Sequence, residues 1–234
     1  MTPFISEFIG TAILIILGDG VVANVVLNKT KGHNSGWIVK TFGWAIAVFV
    51  GVYTSAAASG AHLNPAITIA FAALGKIEWA VVPTYIAAQL LGAMAGATMV
   101  WITYRQHFSQ TDNADAKLAV FCTGPAIRSL FNNFISEVVG TFILVFGALH
   151  IAAPANSLGA VDALPVALLV LGIGLSLGGT TGYAINPARD LGPRIMHFIL
   201  PIPQKRDSDW SYAWVPVLGP VAGGLLAAFV FKMM

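Results

Sequence analysis

The sequence predicts an all-α membrane protein with six transmembrane helices and two re-entrant half-helices, arranged as an inverted 3+3 repeat. Hydrophobic residues make up 57% of the chain and charged residues 9%, whereas soluble domains carry about 25% charged residues. The mean hydropathy is +0.79. An Asn-Pro-Ala sequence occurs once in each half of the chain. Composition thus predicts the membrane class, and the paired motif predicts the duplicated architecture.

Six apolar stretches are long enough to cross a bilayer, which takes about 20 helical residues. We expect these spans near 4–27, 38–57, 79–103, 131–151, 163–181 and 211–232. The two Asn-Pro-Ala motifs begin apolar stretches that are too short to cross, about 64–74 and 186–199, and these are the predicted half-helices. The connections at 28–37, 105–129 and 200–210 are polar, and none is typical of an interdomain linker.

An internal repeat relates the two halves of the chain. Phe4-Ile5-Ser6-Glu7 recurs as Phe134-Ile135-Ser136-Glu137, and Leu91-Gly92 with Gly96 recurs as Leu218-Gly219 with Gly223. We therefore predict one membrane domain over 1–234, with repeat 1 at about 1–104, a connection at about 105–129 and repeat 2 at about 130–234. Because each repeat has three spans, the second repeat crosses the membrane in the opposite sense, as in many transport proteins.

Each motif has the composition of a capped helix start that follows an irregular segment. Asparagine is a strong N-cap residue, and proline is well tolerated at the first helical position. A glycine precedes each asparagine by four residues and favours irregular backbone. Such backbone is tolerated at membrane depth only where it is buried in protein or lines a water-filled cavity. The carbonyl groups predicted to line a pore belong to Gly60, Ala61, His62 and Leu63, and to Gly182, Tyr183, Ala184 and Ile185.

With these two motifs, the chain resembles the major intrinsic proteins, the family of aquaporins and glycerol facilitators, over nearly its whole length. The resemblance implies an aquaporin-like fold with a central constriction formed by Asn64, Pro65 and Ala66 together with Asn186, Pro187 and Ala188. In the family, the two asparagine amides donate hydrogen bonds to passing oxygen atoms. The facing half-helix N-termini place positive potential at the centre, which disfavours protons and cations.

The resemblance also implies an outer selectivity filter formed by Trp44, Gly174, Tyr183 and Arg189. An arginine inside a membrane costs about 2.5 kcal/mol or more, which itself points to function. Gly174 stands where water-selective members have a histidine, and two aromatic walls with one cationic wall suit a small polyol. Tyr183 departs from the phenylalanine that is common in glycerol facilitators, and its hydroxyl is expected to make the slot more polar and slightly narrower.

Four further ionisable residues are expected to support the re-entrant loops. Asp190 and Arg194 resemble signatures of the glycerol branch, as does Pro216-Val217, and they lie one helical turn apart, where they can pair. Glu7 and Glu137 occupy equivalent repeat positions inside apolar spans. They are expected to accept hydrogen bonds from loop amides, although intramembrane carboxylates also serve as proton relays.

The function that this resemblance implies is a passive channel for glycerol and similar small uncharged solutes, and for water, that excludes protons and ions. Urea, dihydroxyacetone and hydrogen peroxide are further candidate solutes. We expect no enzymatic activity, no cofactor, no metal and no nucleic-acid partner, since the net charge of +2 comes without a basic run. A homotetramer in the lipid bilayer of the plasma membrane, with both termini in the cytoplasm, is expected from the family.

The distribution of positive charge conflicts with this orientation. The positive-inside rule assigns the lysine- and arginine-rich side of a membrane protein to the cytoplasm. The side that the family places outside carries Lys29, Lys31, Lys40, Arg105, Lys117, Arg128, Lys205 and Arg206, and the other side has little more than Lys76 and Lys232. We follow the family because its pattern covers the whole chain.

Three alternatives to a glycerol channel remain open from the sequence. A water-selective channel would have the same fold with a narrower filter. A proton- or sodium-coupled secondary transporter would use Glu7 or Glu137 as its titrating site, since broken helices in inverted repeats also occur in that class. A closed or adhesive member of the family would conduct little.

Overall fold

The computed structural model describes residues 1–151 and 156–234. Residues 152–155, which belong to the predicted second repeat, lie outside the described residues. All regular secondary structure in the described part of the chain is helical, and no strand occurs there. Six of its helical segments are long and apolar enough to span a membrane. The predicted all-α membrane fold is therefore confirmed.

The helices follow one another as two similar series. The first series is α1 (Pro3–Val26), α2 (Trp37–Ser59), the half-helix α3 (Pro65–Ala73) and α4 (Val82–Ser109), which a single 3-10 turn at Trp79–Val81 precedes. A short helix, α5 (Ala114–Phe121), connects the two series. The second series is α6 (Leu130–His150), α7 (Leu164–Leu177) after a 3-10 turn at Gly159–Ala163, the half-helix α8 (Pro187–Ile199) and α9 (Val215–Lys232).

The boundaries differ from the sequence prediction mainly at three places. The predicted fifth span to residue 181 ends at Leu177, because the Gly178-Gly179 pair that follows forms a turn. The predicted third span to residue 103 continues to Ser109, because the polar residues after 103 still favour helix. The polar connection at 105–129 also contains a short helix that was not predicted: Asn113 caps α5 by accepting hydrogen bonds from the amides of Asp115 and Ala116.

Glycines allow the first and last spans of each series to pack backbone against backbone. A Cβ atom on Gly92 of α4 would lie 2.3 Å from the carbonyl oxygen of Phe8 in α1. A Cβ atom on Gly223 of α9 would lie 2.3 Å from the carbonyl oxygen of Val138 in α6. The pairs α1–α4 and α6–α9 are therefore equivalent close contacts, of the kind that small residues permit inside membranes.

Each half-helix packs mainly against the opposite series. The first half-helix, α3, contacts α9, and α8 contacts α4. The two half-helices also contact each other. The two series are thus interlocked rather than side by side, and their re-entrant loops meet inside the bundle.

The polar connections that were assigned to one side of the membrane do contact one another. The ammonium group of Lys29 donates to the side chain of Gln110, the ammonium of Lys117 donates to the carbonyl oxygen of Pro203, and Arg206 pairs with Asp115. The three connections therefore lie on one face of the bundle and carry most of its positive charge.

We predict that Gly223→Ala destabilises the protein, because the added methyl group would overlap the backbone of α6. Overpacking of this kind typically costs about 1–3 kcal/mol. The measurement is the apparent melting temperature in detergent, followed by the loss of the folded peak in size-exclusion chromatography. Gly20→Ala is the matched control, since a Cβ atom there meets nothing within 4 Å. Equal melting temperatures for both variants would contradict the close packing.

Candidate functional site

The re-entrant loops have a backbone that ordinary side chains rarely adopt. Leu63 and Ile185, the residues before the two asparagines, have φ values of 50° and 44°, and Ala61 and Tyr183 have 52° and 39°. Positive φ is uncommon for residues other than glycine and indicates a local constraint. Each loop thus has two left-handed residues other than glycine, two positions apart.

Asn64 and Asn186 hold the centre of the molecule together. The side-chain oxygen of Asn64 accepts from the amide of Ala66 at 2.9 Å, and that of Asn186 accepts from Ala188 at 3.0 Å. The amide nitrogen of Asn64 donates to the carbonyl oxygen of Ile185, and that of Asn186 donates to the carbonyl of Leu63, both at 2.8 Å. Each asparagine thus caps its own half-helix and binds the opposite loop, with one amide hydrogen left for another acceptor.

Glu7 binds the first loop through both of its carboxylate oxygens. One oxygen accepts from the hydroxyl of Ser59 at 2.6 Å and from the amide of His62 at 2.9 Å. The other accepts from the amide of Leu63 at 2.7 Å and from the side chain of Gln89 at 2.8 Å. The carboxylate is completely buried. These hydrogen bonds explain why an apolar helix contains a buried acid, and no role in the pore is needed to explain it.

Glu137 repeats this arrangement in the second half. One oxygen accepts from the hydroxyl of Thr181 at 2.6 Å and from the amide of Ala184 at 3.0 Å, and the other accepts from the amide of Ile185 at 2.8 Å. Its side chain is also buried. The equivalent contacts of the two glutamates follow from the sequence repeat.

Two cavities meet end to end inside the bundle. The inner cavity has a volume of about 70 Å³ and runs along both asparagines and the re-entrant loop residues. Its other wall is apolar and comprises Leu14, Val48, Val52, Ile67, Leu144, Val166 and Val170. The outer cavity also has a volume of about 70 Å³, and its lining includes Val22, Trp37, Lys40, Ala119, Thr123 and Gly182. Trp44, Tyr183 and Arg189 line both cavities. These three residues therefore form the boundary between an outer vestibule and an inner lumen.

The three boundary residues form two aromatic walls and one cationic wall. The guanidinium carbon of Arg189 lies 3.9 Å from the centre of a Trp44 ring, a close cation–π contact. Among the described residues, the Arg189 guanidinium donates no hydrogen bond, and its residue is 8% exposed. Its N–H groups are therefore available to whatever occupies the lumen.

Gly174 differs from the other three predicted filter residues, because it does not line either cavity in the described part of the chain. It lies behind Tyr183: a Cβ atom on Gly174 would be 2.9 Å from Cζ of that ring. The carbonyl oxygen of Gly174 accepts from the indole nitrogen of Trp37 at 3.1 Å, and Trp37 packs edge-on against Tyr183. Gly174 thus affects the lumen through the position of the Tyr183 ring.

Asp190 and Arg194 connect α8 to the surrounding loops. Arg194 donates to Asp190 at 2.8 Å, and both side chains are fully buried. Asp190 also accepts from the amide of Thr123 at 2.8 Å, and Arg194 donates to the carbonyl oxygens of Ser208 and Thr123.

At the surface, hydrogen bonds from Arg128 lower the pKa of the Asp209 carboxyl below its ordinary value.

Sequence reasoning missed three residues beside the filter: Asp19, Trp37 and Lys40. Asp19 lies in α1 with a side chain that is 0% exposed, and an oxygen of its carboxylate is 3.7 Å from the guanidinium of Arg189. Its charge within an apolar span is the signal that identifies it. Trp37 and Lys40 stand at the start of α2, where nothing in the sequence shows that this end of the helix faces the vestibule.

A six-helix bundle in which two half-helices meet beside a narrow lumen defines a membrane channel with a re-entrant-loop pore. Comparison with known protein families matches residues 1–231 to the family described as major intrinsic protein. The chain belongs to the major intrinsic protein family.

Close relatives of the chain are named glycerol uptake facilitators, which places the chain in the aquaglyceroporin branch of this family. The chain is 57% identical over 234 residues to the probable glycerol uptake facilitator protein of Thermotoga maritima, with both chains fully covered. It is 55% identical over 233 residues to the glycerol uptake facilitator protein of Streptococcus pneumoniae, covering 100% of this chain and 99% of that protein. The X-ray structure of the aquaglyceroporin from Plasmodium falciparum is similar with a TM-score of 0.87 and 34% identity, covering 98% of this chain and 94% of that one.

We predict that Glu137→Gln lowers the stability of the protein and its permeability. The glutamine amide group would face donors that now bind a carboxylate, and losing one hydrogen bond to a charged acceptor costs about 1.5–3 kcal/mol. Apparent melting temperature and solute flux in lipid vesicles are the measurements. Glu78→Gln, at an exposed position, is the control. A melting temperature of Glu137→Gln equal to that of the wild-type protein would show that Glu137 does not stabilise the second loop.

Proposed function

We propose that the chain is a passive channel for glycerol and similar small uncharged solutes, with water also permeating. The observation that carries this proposal is the boundary between the two cavities, where Trp44 and Tyr183 face the cationic Arg189. A polyol has an apolar CH side and a hydroxyl side. Its CH groups fit against the two rings while its hydroxyls accept from the guanidinium, so the slot selects by shape and polarity together.

The inner lumen continues the same division into a polar and an apolar side. The apolar wall, which includes Val48, Val52 and Leu144, faces the re-entrant loop residues and the two asparagines. Hydroxyl groups that leave Arg189 find acceptors along the loops and donors at Asn64 and Asn186. A solute thus replaces most of its hydration without being held at one place, as conduction requires.

Exclusion of ions and protons follows from the same parts. The N-termini of α3 and α8 direct the positive ends of their dipoles to the centre, and Arg189 adds a full positive charge at the outer boundary. An apolar wall offers no replacement for the hydration shell of an ion. Both cations and protons therefore meet an electrostatic barrier at two levels of the pathway.

A coupled transporter is disfavoured by the positions of the two glutamates. Glu7 and Glu137 are not among the described residues that line the lumen, and their oxygens accept hydrogen bonds from loop donors. Neither carboxylate is placed to exchange a proton with a passing solute. The water-selective alternative differs from our proposal only in the width of the slot. Comparing glycerol flux with water flux distinguishes the two.

We further propose the wider setting that the family implies: one membrane channel domain without enzymatic activity, in a homotetramer in the plasma membrane. The candidate solutes include urea, dihydroxyacetone and hydrogen peroxide, all small and uncharged. The filter residues, the central asparagines, and the supporting roles of Glu7, Glu137, Asp190 and Arg194 are part of the same proposal. Both termini are proposed to be cytoplasmic, which places the positively charged face outside.

The proposed function predicts that purified protein in lipid vesicles raises both glycerol and water permeability above those of protein-free vesicles. Gly174→Ala is expected to push the Tyr183 ring toward Arg189 and to lower glycerol flux about tenfold, the lower end of what one misplaced methyl group changes. Water flux should fall far less because water is smaller. Stopped-flow light scattering measures both fluxes.

Gly172→Ala is the control, since a Cβ atom at Gly172 of the same helix meets nothing within 4 Å. Wild-type vesicles that admit water but no glycerol would overturn the glycerol assignment in favour of a water-selective channel. Equal loss of both fluxes in Gly174→Ala would contradict the filter.

The proposed orientation predicts that a cysteine in place of Ser35, an exposed residue of the first polar connection, reacts with an impermeant maleimide added to intact cells. Cys122 is buried and is replaced by alanine in this background so that only the new thiol can react. A cysteine in place of the exposed Glu78, on the opposite face, is the control and should react only after the cells are permeabilised. The reverse pattern would place the positive face inside.

A further inference from the structure

Asp19 is a buried charged residue that the pathway described so far does not use. Its side chain is 0% exposed in α1. Neither of its carboxylate oxygens has a hydrogen-bond partner among the described residues. Buried polar atoms normally have partners, and an exception needs an explanation. The explanation lies in the Arg189 guanidinium, 3.7 Å away.

The packing of α1 against α2 brings Asp19 to the back of the filter. A Cβ atom on Gly18 would lie 2.2 Å from the ring of Trp44, so α1 and this ring are in direct contact. The guanidinium carbon of Arg189 lies 3.9 Å from the centre of the same ring. Trp44 and Asp19 thus both lie against a guanidinium that donates no hydrogen bond within the described residues.

The fold itself does not require an acid at this position. The repeat pairs residues that are 130 positions apart, as Glu7 and Glu137 show. By the same spacing, Asp19 corresponds to Leu149, at the same level of α6. The second repeat therefore forms its helix with an apolar residue there. The acid occurs only in the repeat whose first helix adjoins the filter arginine.

We propose that Asp19 is a positioning residue of the filter: its carboxylate is the counter-ion of Arg189, restrains the guanidinium against Trp44 and reduces the positive charge that the filter presents to solutes. This inference rests on the proposed function. A restrained guanidinium presents its free N–H groups to polyol hydroxyls in one orientation. A partly compensated charge holds anions less strongly than an isolated arginine would, so the pair favours neutral solutes over anions.

The experiment compares wild-type protein with Asp19→Asn, a neutral variant of the same shape, in lipid vesicles. Thr11→Val is the matched control, because Thr11 is a fully buried residue of the same helix whose hydroxyl also has no partner among the described residues. Glycerol and water fluxes are measured by stopped-flow light scattering. Anion flux is measured as chloride–nitrate exchange with a chloride-quenched dye at neutral pH, where nitrate has no neutral form.

We expect Asp19→Asn to lower the ratio of glycerol to water permeability and to raise nitrate flux, each by about twofold to fivefold, the effect of removing one weak charge contact. Thr11→Val should leave all three fluxes unchanged. Asp19→Glu, which retains the charge, should restore nitrate exclusion toward that of the wild type. Should Asp19→Asn fail to assemble, Asp19→Val takes its place as the neutral variant of similar size.

Unchanged ratios in Asp19→Asn would overturn the inference, as would an equal loss of all fluxes, which indicates a packing role alone. Failure of the proposed function would give a different result: vesicles with the wild-type protein would admit no glycerol, whatever the fluxes of the variants.

Discussion

The structure depends on one constraint: the backbone of the two re-entrant loops lies inside a membrane protein, where each unpaired amide costs several kcal/mol. Glu7 and Glu137 meet this constraint by accepting hydrogen bonds from loop amides on the side that faces the bundle. Each glutamate thus pairs two amides of a loop whose backbone includes residues of positive φ. The irregular backbone can therefore lie beside the lumen without leaving these amides unpaired.

The re-entrant loop with its glutamate occurs twice, and the two copies bind each other. Asn64 and Asn186 each donate to the loop of the other half, and each half-helix packs on the opposite series of spans. A change in one repeat is therefore felt in the other. The two repeats differ in sequence directly after their motifs. The residue three positions after Asn186 is Arg189, whereas the residue three after Asn64 is Ile67, so the cationic boundary exists at one end of the lumen.

The sequence was sufficient for features that have a strong local signal. Composition and length predicted six spans, and Asn-Pro predicted the starts of both half-helices, because caps and spans are determined within a few residues. Features that depend on distant contacts were not predictable. Helix α5 was missed because its cap lies in a polar connection, and the placement of Gly174 behind Tyr183 depends on how α7 meets the second loop. Asp19 had a signal, a charge in an apolar span, but its partner is 170 positions away in the chain.

The energetics of Arg189 explain why the pathway passes beside it. A guanidinium at membrane depth costs about 2.5–3.5 kcal/mol on the insertion scale. A cation–π contact offsets roughly 0.5–2 kcal/mol of this cost, and a carboxylate at 3.7 Å without a hydrogen bond adds a further, incomplete compensation. Neither contact uses the hydrogen-bonding capacity of the five N–H groups. Those groups reach low free energy only when water or a hydroxyl solute stands next to them. Solvation of the arginine and passage of the solute therefore require the same open lumen.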